Sequence, residues 1–408
     1  MTRSASSREL RWDVFCYVVD NYGDAAVCWR LARELAARSR SAGREGNDGR
    51  VRLWIDDLRA LQALCPEVDA QALRQRVAGV EVLLWQREQP FDMDAAGAPA
   101  EVAIDAFGCG LPDAYAGAMA ARQPAALWIT LEYLSAESWV ASHHGLPSPP
   151  PRLAVQRYFF FPGFTPDTGG LIKEADLDIR RRAFQSDQKV RDAFWRARGF
   201  SPVAKDAFTV SLFGYENPGV AALLGAWANA QSPVVAALPP GRLRPQVLAY
   251  FGVSDPGDGA AIGTVLRQGN LEVRLLPFLA QSHYDELLWS CDWNFVRGED
   301  SFVRAQWAAR PLVWHIYAQA EDVHWAKLDA FLERWCTGLA PDIAVTVRNF
   351  WHAWNGRGDC RAAWETMMVH RQVLAGHAGK WPKALDLAGN LAEKLAQFCA
   401  DRLKSPAS

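Results

Sequence analysis

The feature that most constrains this chain is the run from Trp12 to Val19 (WDVFCYVV). This apolar, β-branched stretch breaks into Asp20-Asn21-Tyr22-Gly23-Asp24 and resumes as an amphipathic segment from Ala25 to Ala37. Alternating and β-branched apolar residues predict a strand, and the later 3.6-residue periodicity predicts a helix, so the five residues between them form a tight strand-to-helix loop. A parallel α/β sheet places such a loop at the carboxyl end of its first strand, where ligands of open sheets bind. Asp and Asn there also serve as turn formers and helix caps, and Gly23 can supply a positive φ. That structural role suits Asp24, next to the helix start, about as well as a chemical one. Asp20 comes directly off the strand end, where a second cap has no use, and it is therefore the stronger candidate for chemistry.

The same alternation continues. Apolar runs at Val51 to Ile55, Val80 to Trp85, Val102 to Phe107 and Ala126 to Leu131 are separated by helical or polar segments, a doubly wound βα series. A Pro-rich segment (Leu146 to Pro151), an aromatic run (Tyr158 to Phe164) and a charged stretch (Lys173 to Arg182) interrupt it. A second series follows at Phe208 to Tyr215, Val234 to Leu238, Leu271 to Phe278, Trp293 to Val296 and Pro311 to Ile316. From Asp322 to Leu403 the chain reads as helical, the last helix running from about Ala384 with Leu385, Leu387, Leu391, Leu395, Phe398 and Leu403 as its apolar positions. With 408 residues and half of them hydrophobic, the chain can bury two ordinary cores. The expected architecture is α/β and GT-B-like: two Rossmann-like domains facing a cleft, with a C-terminal helical tail. The expected domains are residues 1–190, joined by the terminal helix 384–408, and residues 205–383.

Composition removes several function classes. Lys and Arg total 44 against 46 Asp and Glu, a net charge of −2, so no global field favours nucleic acid. The 18 Trp lie mostly in apolar runs, where they serve a core better than a nucleic-acid face. No apolar run reaches the roughly 20 residues that span a bilayer, and the polar opening MTRSASSREL lacks the hydrophobic region of a secretion signal. A soluble cytoplasmic protein is expected. The eight Cys form no CxxC pair and read as buried free thiols, and the eight His show no HExxH. Adjacent His143 and His144 read as a solvated loop. Two triplets, Asp92-Met93-Asp94 and Asp176-Leu177-Asp178, would matter if a cation held a nucleotide sugar, but such triplets are common by chance, and no metal or cofactor is expected.

A second informative segment runs from Arg297 to Trp307 (RGEDSFVRAQW), after the apolar strand Trp293 to Val296. It opens a helix, so Asp300 and Ser301 fall where backbone N–H groups are unsatisfied and an anion is welcome. Arg297 adds a fork suited to phosphate oxygens, and Glu299 is placed for sugar hydroxyls. An N-cap with charges on a solvated first turn is the structural alternative; the pairing with Asp20 weighs against it, since one loop offers carboxylates and the other an anion cradle.

Together, VVDNYGDAAVCWRLARELA near the start and NFVRGEDSFVRAQWAARPLVWHIY late in the chain resemble the bacterial protein-arginine rhamnosyltransferases of the EarP family. The resemblance extends over nearly the whole chain in element order, leaving out the polar insertion Ser39 to Gly49 and the short tails. It implies transfer of rhamnose from dTDP-β-L-rhamnose to an arginine side chain of translation elongation factor P. It also implies Asp20 as general base and Asp24 as a second carboxylate that orients the acceptor or holds structure, with Asn21, Tyr22 and Gly23 in the same loop. Phe213 and Tyr215 (SLFGYEN), with Phe278, Gln281 and Tyr284 (PFLAQSHY), match the nucleotide pocket, Tyr284 standing where an aromatic stacks on thymine. Glu299, Asp300 and Ser301 match the ribose and diphosphate contacts. Read from the residues alone, the aromatic positions are more often core. Two further readings stand beside this one: a GT-B transferase with another acceptor, and a non-catalytic protein that binds a nucleotide or the elongation factor without turnover.

Overall fold

The computed structural model describes residues 10–19, 22–41, 50–254 and 263–404. The chain divides into two compact units, Met1–Glu174 with Leu385–Ser408, and Ala175–Ala384.

The first unit is built on a seven-stranded sheet: β1 (Trp12–Cys16), β2 (Val51–Ile55), β3 (Arg74–Val77), β4 (Val80–Leu84), β5 (Val102–Ala106), β6 (Leu127–Leu131) and β7 (Gln156–Phe160), in the order β3-β4-β2-β1-β5-β6-β7. All neighbours are parallel except β3 and β4. The central strands β1, β5 and β6 are buried at every position, as expected where helices cover both faces. One face packs an aromatic cluster in which Phe15 stacks on Trp54 at 5.7 Å and meets Trp85 and Tyr115 edge-on. The apolar run of β1 contains Asp13, fully buried; its carboxylate takes a two-pronged ion pair at 2.5 Å from Arg52, its register partner on β2, and a hydrogen bond from the Tyr115 hydroxyl. Such a pair is tolerated because every charge is answered.

The second unit carries a six-stranded sheet: β8 (Phe208–Leu212), β9 (Val234–Leu238), β10 (Val265–Gln268), β11 (Leu271–Leu275), β12 (Trp293–Arg297) and β13 (Leu312–His315), in the order β10-β11-β9-β8-β12-β13. Again all pairs are parallel except the outer hairpin, β10 with β11. In both sheets the first strand lies at the point where the order reverses, between β2 and β5 in one and between β9 and β12 in the other. These are the switch points at which open sheets bind ligands.

Three strands were not anticipated. β3 and β10 are short, polar edge strands (RQRV and VLRQ) without an apolar signature, held by cross-strand ion pairs Arg74–Glu81 and Arg267–Glu272. The turn of the first hairpin, Ala78-Gly79, has positive φ at both residues, the geometry of tight hairpins. β7 arises from the aromatic run read as an interruption: Tyr158 and Phe160 point inward, while Arg157 lies over the Trp128 ring at 5.2 Å.

The domain boundary falls at Glu174, earlier than the expected 190. The helices Leu177–Ser186 and Gln188–Arg196 belong to the second unit because Phe184 packs on Phe194 and Trp289, and Gln185 Nε2 donates to Ala308 O at 3.0 Å. The terminal helix is also two helices, Arg371–Asp386 and Leu391–Lys404. Gly389 breaks the run at φ +86°, Asn390 caps the second helix by accepting from Ala392 N, and Leu387 is left exposed. At this break Leu171 N donates to Gly389 O and Leu391 N to Leu171 O, so the chain leaving the first unit and the chain re-entering it are hydrogen-bonded side by side. Gly170 permits the approach, since a Cβ there would lie 2.3 Å from Gly389 O. The last helix completes the first core: Phe398 packs on Tyr158 and Phe160, and Cys399 is fully buried. No helix among the described residues is long and apolar enough to cross a membrane.

Candidate active site

At the switch point of the first sheet, Asp20 and Asn21 lie outside the described residues. Tyr22 is partly exposed, and Gly23 and Asp24 open the helix Gly23–Ser41. Asp24 is buried; one oxygen accepts from Val19 N at 2.9 Å, the other from the Tyr133 hydroxyl at 3.4 Å. Its carboxylate thus reaches back across the loop and ties strand end to helix start. Asp56, at the end of β2, accepts from Val18 N at 2.9 Å, and burial raises its carboxyl above the usual range. Two acids from successive strand ends therefore clamp the backbone leading into the loop.

The adjacent strand ends supply residues that sequence reasoning missed. Asp105, buried in β5, accepts from Gly110 N at 2.8 Å and from Thr130 Oγ1 at 3.5 Å, which folds the 107–110 turn back on the sheet. Phe107 takes φ +58° and stacks on Tyr133, ring centroids 4.4 Å apart and planes 16° from parallel. Glu132, next to Tyr133, has its carboxyl raised by burial and by Asp105. The signal that finds these residues is positional: each follows or ends a strand at the carboxyl edge.

In the second sheet Phe213, Tyr215, Tyr284 and Ser301 come together around Arg297, the last residue of β12. Its guanidinium carbon lies 4.8 Å from the centroid of Phe213 and 4.7 Å from that of Tyr215, both on the loop after β8. Its Nη1 is buried and has no hydrogen-bond partner among the described residues. A cation held by two ring faces with an unanswered N–H calls for an anionic oxygen. His315, ending β13, packs edge-on against Tyr215 and accepts from Tyr215 N through Nδ1. Burial and the Arg297 charge push its pKa down to about 4, so the imidazole is neutral near pH 7 and Arg297 carries the positive charge there. His315 was not anticipated.

Glu299 occupies the N-cap position of the helix Asp300–Trp307, and Ser301 donates its hydroxyl back to Arg297 O. Tyr284 lies edge-on to Phe213 at 6.0 Å, and burial raises its phenol. Phe278, on the loop after β11, is 40% exposed. Asp300 and Gln281 differ from expectation in being tied into the protein. Asp300 Oδ2 accepts from Arg304 Nε at 2.8 Å and from Gln281 Nε2 at 3.4 Å, while Arg304 also donates to Asp285 at 2.8 Å. This network locks the starts of the helices Gln281–Ser290 and Asp300–Trp307 together.

The alternative ligand groups resolve as structure. Asp92 caps the helix Met93–Ala96, and Asp176 and Asp178 pair with Arg180 and Arg181. His143 is exposed, but His144 departs from the solvated-loop reading: its ring packs on Phe160 at 4.5 Å and accepts from Phe161 N, and burial lowers its pKa to about 4. All eight cysteines are free, seven of them buried and Cys65 partly exposed. Among the described residues no group of three or more His, Cys, Asp or Glu could hold a metal.

Two doubly wound sheets, each with its polar residues gathered at the switch point, define a GT-B-like glycosyltransferase fold. A trehalose 6-phosphate synthase from Burkholderia multivorans shares that fold, with a TM-score of 0.50 at 9% identity over 97% of this chain and 99% of its own. A solved structure described as the structural basis for EarP-mediated arginine glycosylation of translation elongation factor EF-P is nearer, at TM-score 0.65 and 31% identity, covering 96% of this chain and 99% of its own. Protein-arginine rhamnosyltransferases from Pseudomonas aeruginosa and Neisseria meningitidis are 45% and 35% identical over 96% of this chain, spanning 99% and 97% of their own lengths. The model of the family described as Elongation-Factor P (EF-P) rhamnosyltransferase EarP matches residues 12–400, and the chain belongs to that family.

Proposed function

We propose that this glycosyltransferase moves rhamnose from dTDP-β-L-rhamnose to an arginine side chain of elongation factor P in the cytoplasm, with inversion, using Asp20 as general base and no metal. The observation that carries the donor half is Arg297, fixed between Phe213 and Tyr215 with an unanswered N–H. A diphosphate leaving group needs a positive counter-charge, and this guanidinium with the helix start at Asp300 supplies it where a cation otherwise would. Phe278 and Tyr284 offer ring faces for the base, and Glu299 a carboxylate for sugar hydroxyls.

The acceptor half rests on the family and on the acidic edge of the first sheet. A guanidinium is protonated at physiological pH and is a poor nucleophile, so a carboxylate must orient it and take its proton as the C–N bond forms. In one in-line displacement an arginine nitrogen attacks the anomeric carbon of the sugar. The bond from that carbon to the diphosphate oxygen breaks, dTDP departs on the opposite face, and the proton passes to Asp20. The β-linked donor gives an α-linked product without a covalent sugar-enzyme intermediate. Asp24 ties the helix start to the end of the first strand through Val19.

Mass spectrometry of elongation factor P incubated with this enzyme and dTDP-rhamnose tests the reading: one deoxyhexose on one arginine is expected, undiminished by excess EDTA. An unmodified factor would refute the assignment, and activity lost to EDTA and restored by magnesium would refute the metal-free route. A short peptide around the arginine should be a poor acceptor, because one guanidinium offers too few contacts to discriminate among the many arginines of a cell.

A further inference from the structure

We propose that Glu132 and Tyr133, the two residues that follow β6, receive the acceptor's guanidinium, Tyr133 through its exposed ring face and Glu132 as counter-ion. The inference rests on the transfer reaction proposed above and assigns it two residues that touch the substrate.

Tyr133 is held on two sides. One face of its ring lies on Phe107 at 4.4 Å, and its hydroxyl donates to Asp24 at 3.4 Å, yet the side chain remains 44% exposed. A ring anchored by residues from two other strand ends and still nearly half exposed is a fixed platform. Donation of the phenol proton to a carboxylate makes the ring more electron-rich and a better seat for a cation. A planar guanidinium stacks on such a face with little loss of freedom.

The platform is over-determined. Phe107 takes φ +58°, a region costly for a bulky residue, and Gly108 and Gly110 follow at +69° and +81°. The turn is kept there by Phe107 N donating to Leu131 O at 2.7 Å and Gly110 N to Asp105. Strain of this kind persists where the surroundings impose it, and here it presents one aromatic ring to the back of another.

Glu132 is the independent observation that points to a cation. Its carboxylate is half-buried, and among the described residues it makes neither a hydrogen bond nor an ion pair. Asp24, Asp56 and Asp105 are all hydrogen-bonded within the same edge. A half-buried carboxylate beside Asp105 is unfavourable unless a ligand answers it, and a guanidinium does so with paired N–H donors.

The test is steady-state rhamnosylation of intact elongation factor P by Glu132→Gln, Tyr133→Phe and Tyr133→Leu, with donor binding followed by calorimetry. Glu132→Gln and Tyr133→Leu should each raise the acceptor KM about tenfold. Both should leave dTDP-rhamnose affinity unchanged. Tyr133→Phe, which keeps the ring and loses only the tie to Asp24, should raise it about two- to threefold. Circular dichroism and thermal melting separate a folding defect from lost recognition, and Glu132→Gln is the variant least able to disturb the fold. Wild-type acceptor KM in both Glu132→Gln and Tyr133→Leu would overturn the seat while leaving the transfer reaction standing. A wild-type enzyme that does not modify the factor would instead overturn the reaction on which the seat depends.

Discussion

The two sheets of this enzyme have the same plan and carry different side chains at their carboxyl edges. Each has an antiparallel hairpin at one edge, parallel strands elsewhere and its first strand at the switch point. The carboxyl edge of the first carries Asp24, Asp56, Asp105 and Glu132; that of the second carries Arg297 beside a neutral His315 and three aromatic rings, Phe213, Tyr215 and Tyr284. The fold provides two equivalent platforms, and in the function proposed above the side chains at a few strand ends set which receives a cation and which an anion. The transfer proposed above, of a sugar from its nucleotide to a guanidinium, needs both.

The contrast breaks most visibly at Asp20. Asp20→Asn keeps size and turn propensity but removes the proton-accepting oxygen, so turnover should fall about 10²- to 10⁴-fold while calorimetry finds unchanged dTDP-rhamnose binding. Near wild-type turnover would remove the acid edge from the chemistry. On the basic side, Arg297→Lys replaces a plane held between two rings by a point charge, and donor affinity should fall about tenfold to a hundredfold. Full affinity in that variant would mean the rings, not the fork, hold the nucleotide.

Asp24→Asn sharpens the comparison by separating scaffold from chemistry. Asn offers one acceptor oxygen where Asp24 takes Val19 N on one oxygen and the Tyr133 hydroxyl on the other, so about 1–2 kcal/mol should be lost in denaturant unfolding. Turnover should drop about tenfold, less than for Asp20→Asn.

Glu34 gives the smallest effect and marks where acid in the first unit ceases to be functional. It is 8% exposed, and burial and Glu174 raise its pKa to about 7. The folded state holds this proton more tightly than the unfolded chain, so stability is highest below the ordinary glutamate pKa and is lost as pH rises towards 7. Glu34→Gln should therefore stabilise the protein at pH 8 by about 1–2 kcal/mol, leave it unchanged near pH 4 and not affect turnover. Thermal melting across that range reads the difference.

Much of this was legible in the chain. Strands buried on both faces, such as Val51–Ile55 and Val234–Leu238, appear as unbroken apolar runs whose ends can be read directly. Edge strands β3, β7 and β10 cannot be read this way, because half of each faces solvent and polar or charged residues suit that side. Arg297 was legible at the strand end before a helix start, whereas Phe213, Tyr215 and Tyr284 came only with the family resemblance; the structure gathers the four. Asp300 and Gln281 carried the same signal, yet part of their hydrogen-bonding capacity goes to the Arg304 network, a partnership set by helix packing and invisible in spacing. Glu132 and Tyr133 escaped for the opposite reason: they sit after an ordinary strand with no motif, and their meaning depends on Phe107 and Asp24, 26 and 109 residues away.

The hydrogen-bonded crossing at Leu171 and Leu391 has a consequence for synthesis. The first core is closed by Phe398 and Cys399, so while the ribosome is still adding those residues the amino-terminal sheet stands with one wall missing. Ala175–Ala384 is one uninterrupted stretch and can mature as soon as it emerges. The usual order, in which the leading domain of a nascent chain settles first, is thereby inverted. The second unit can be complete before the first, whose acidic edge waits on the packing of Phe398 and Cys399.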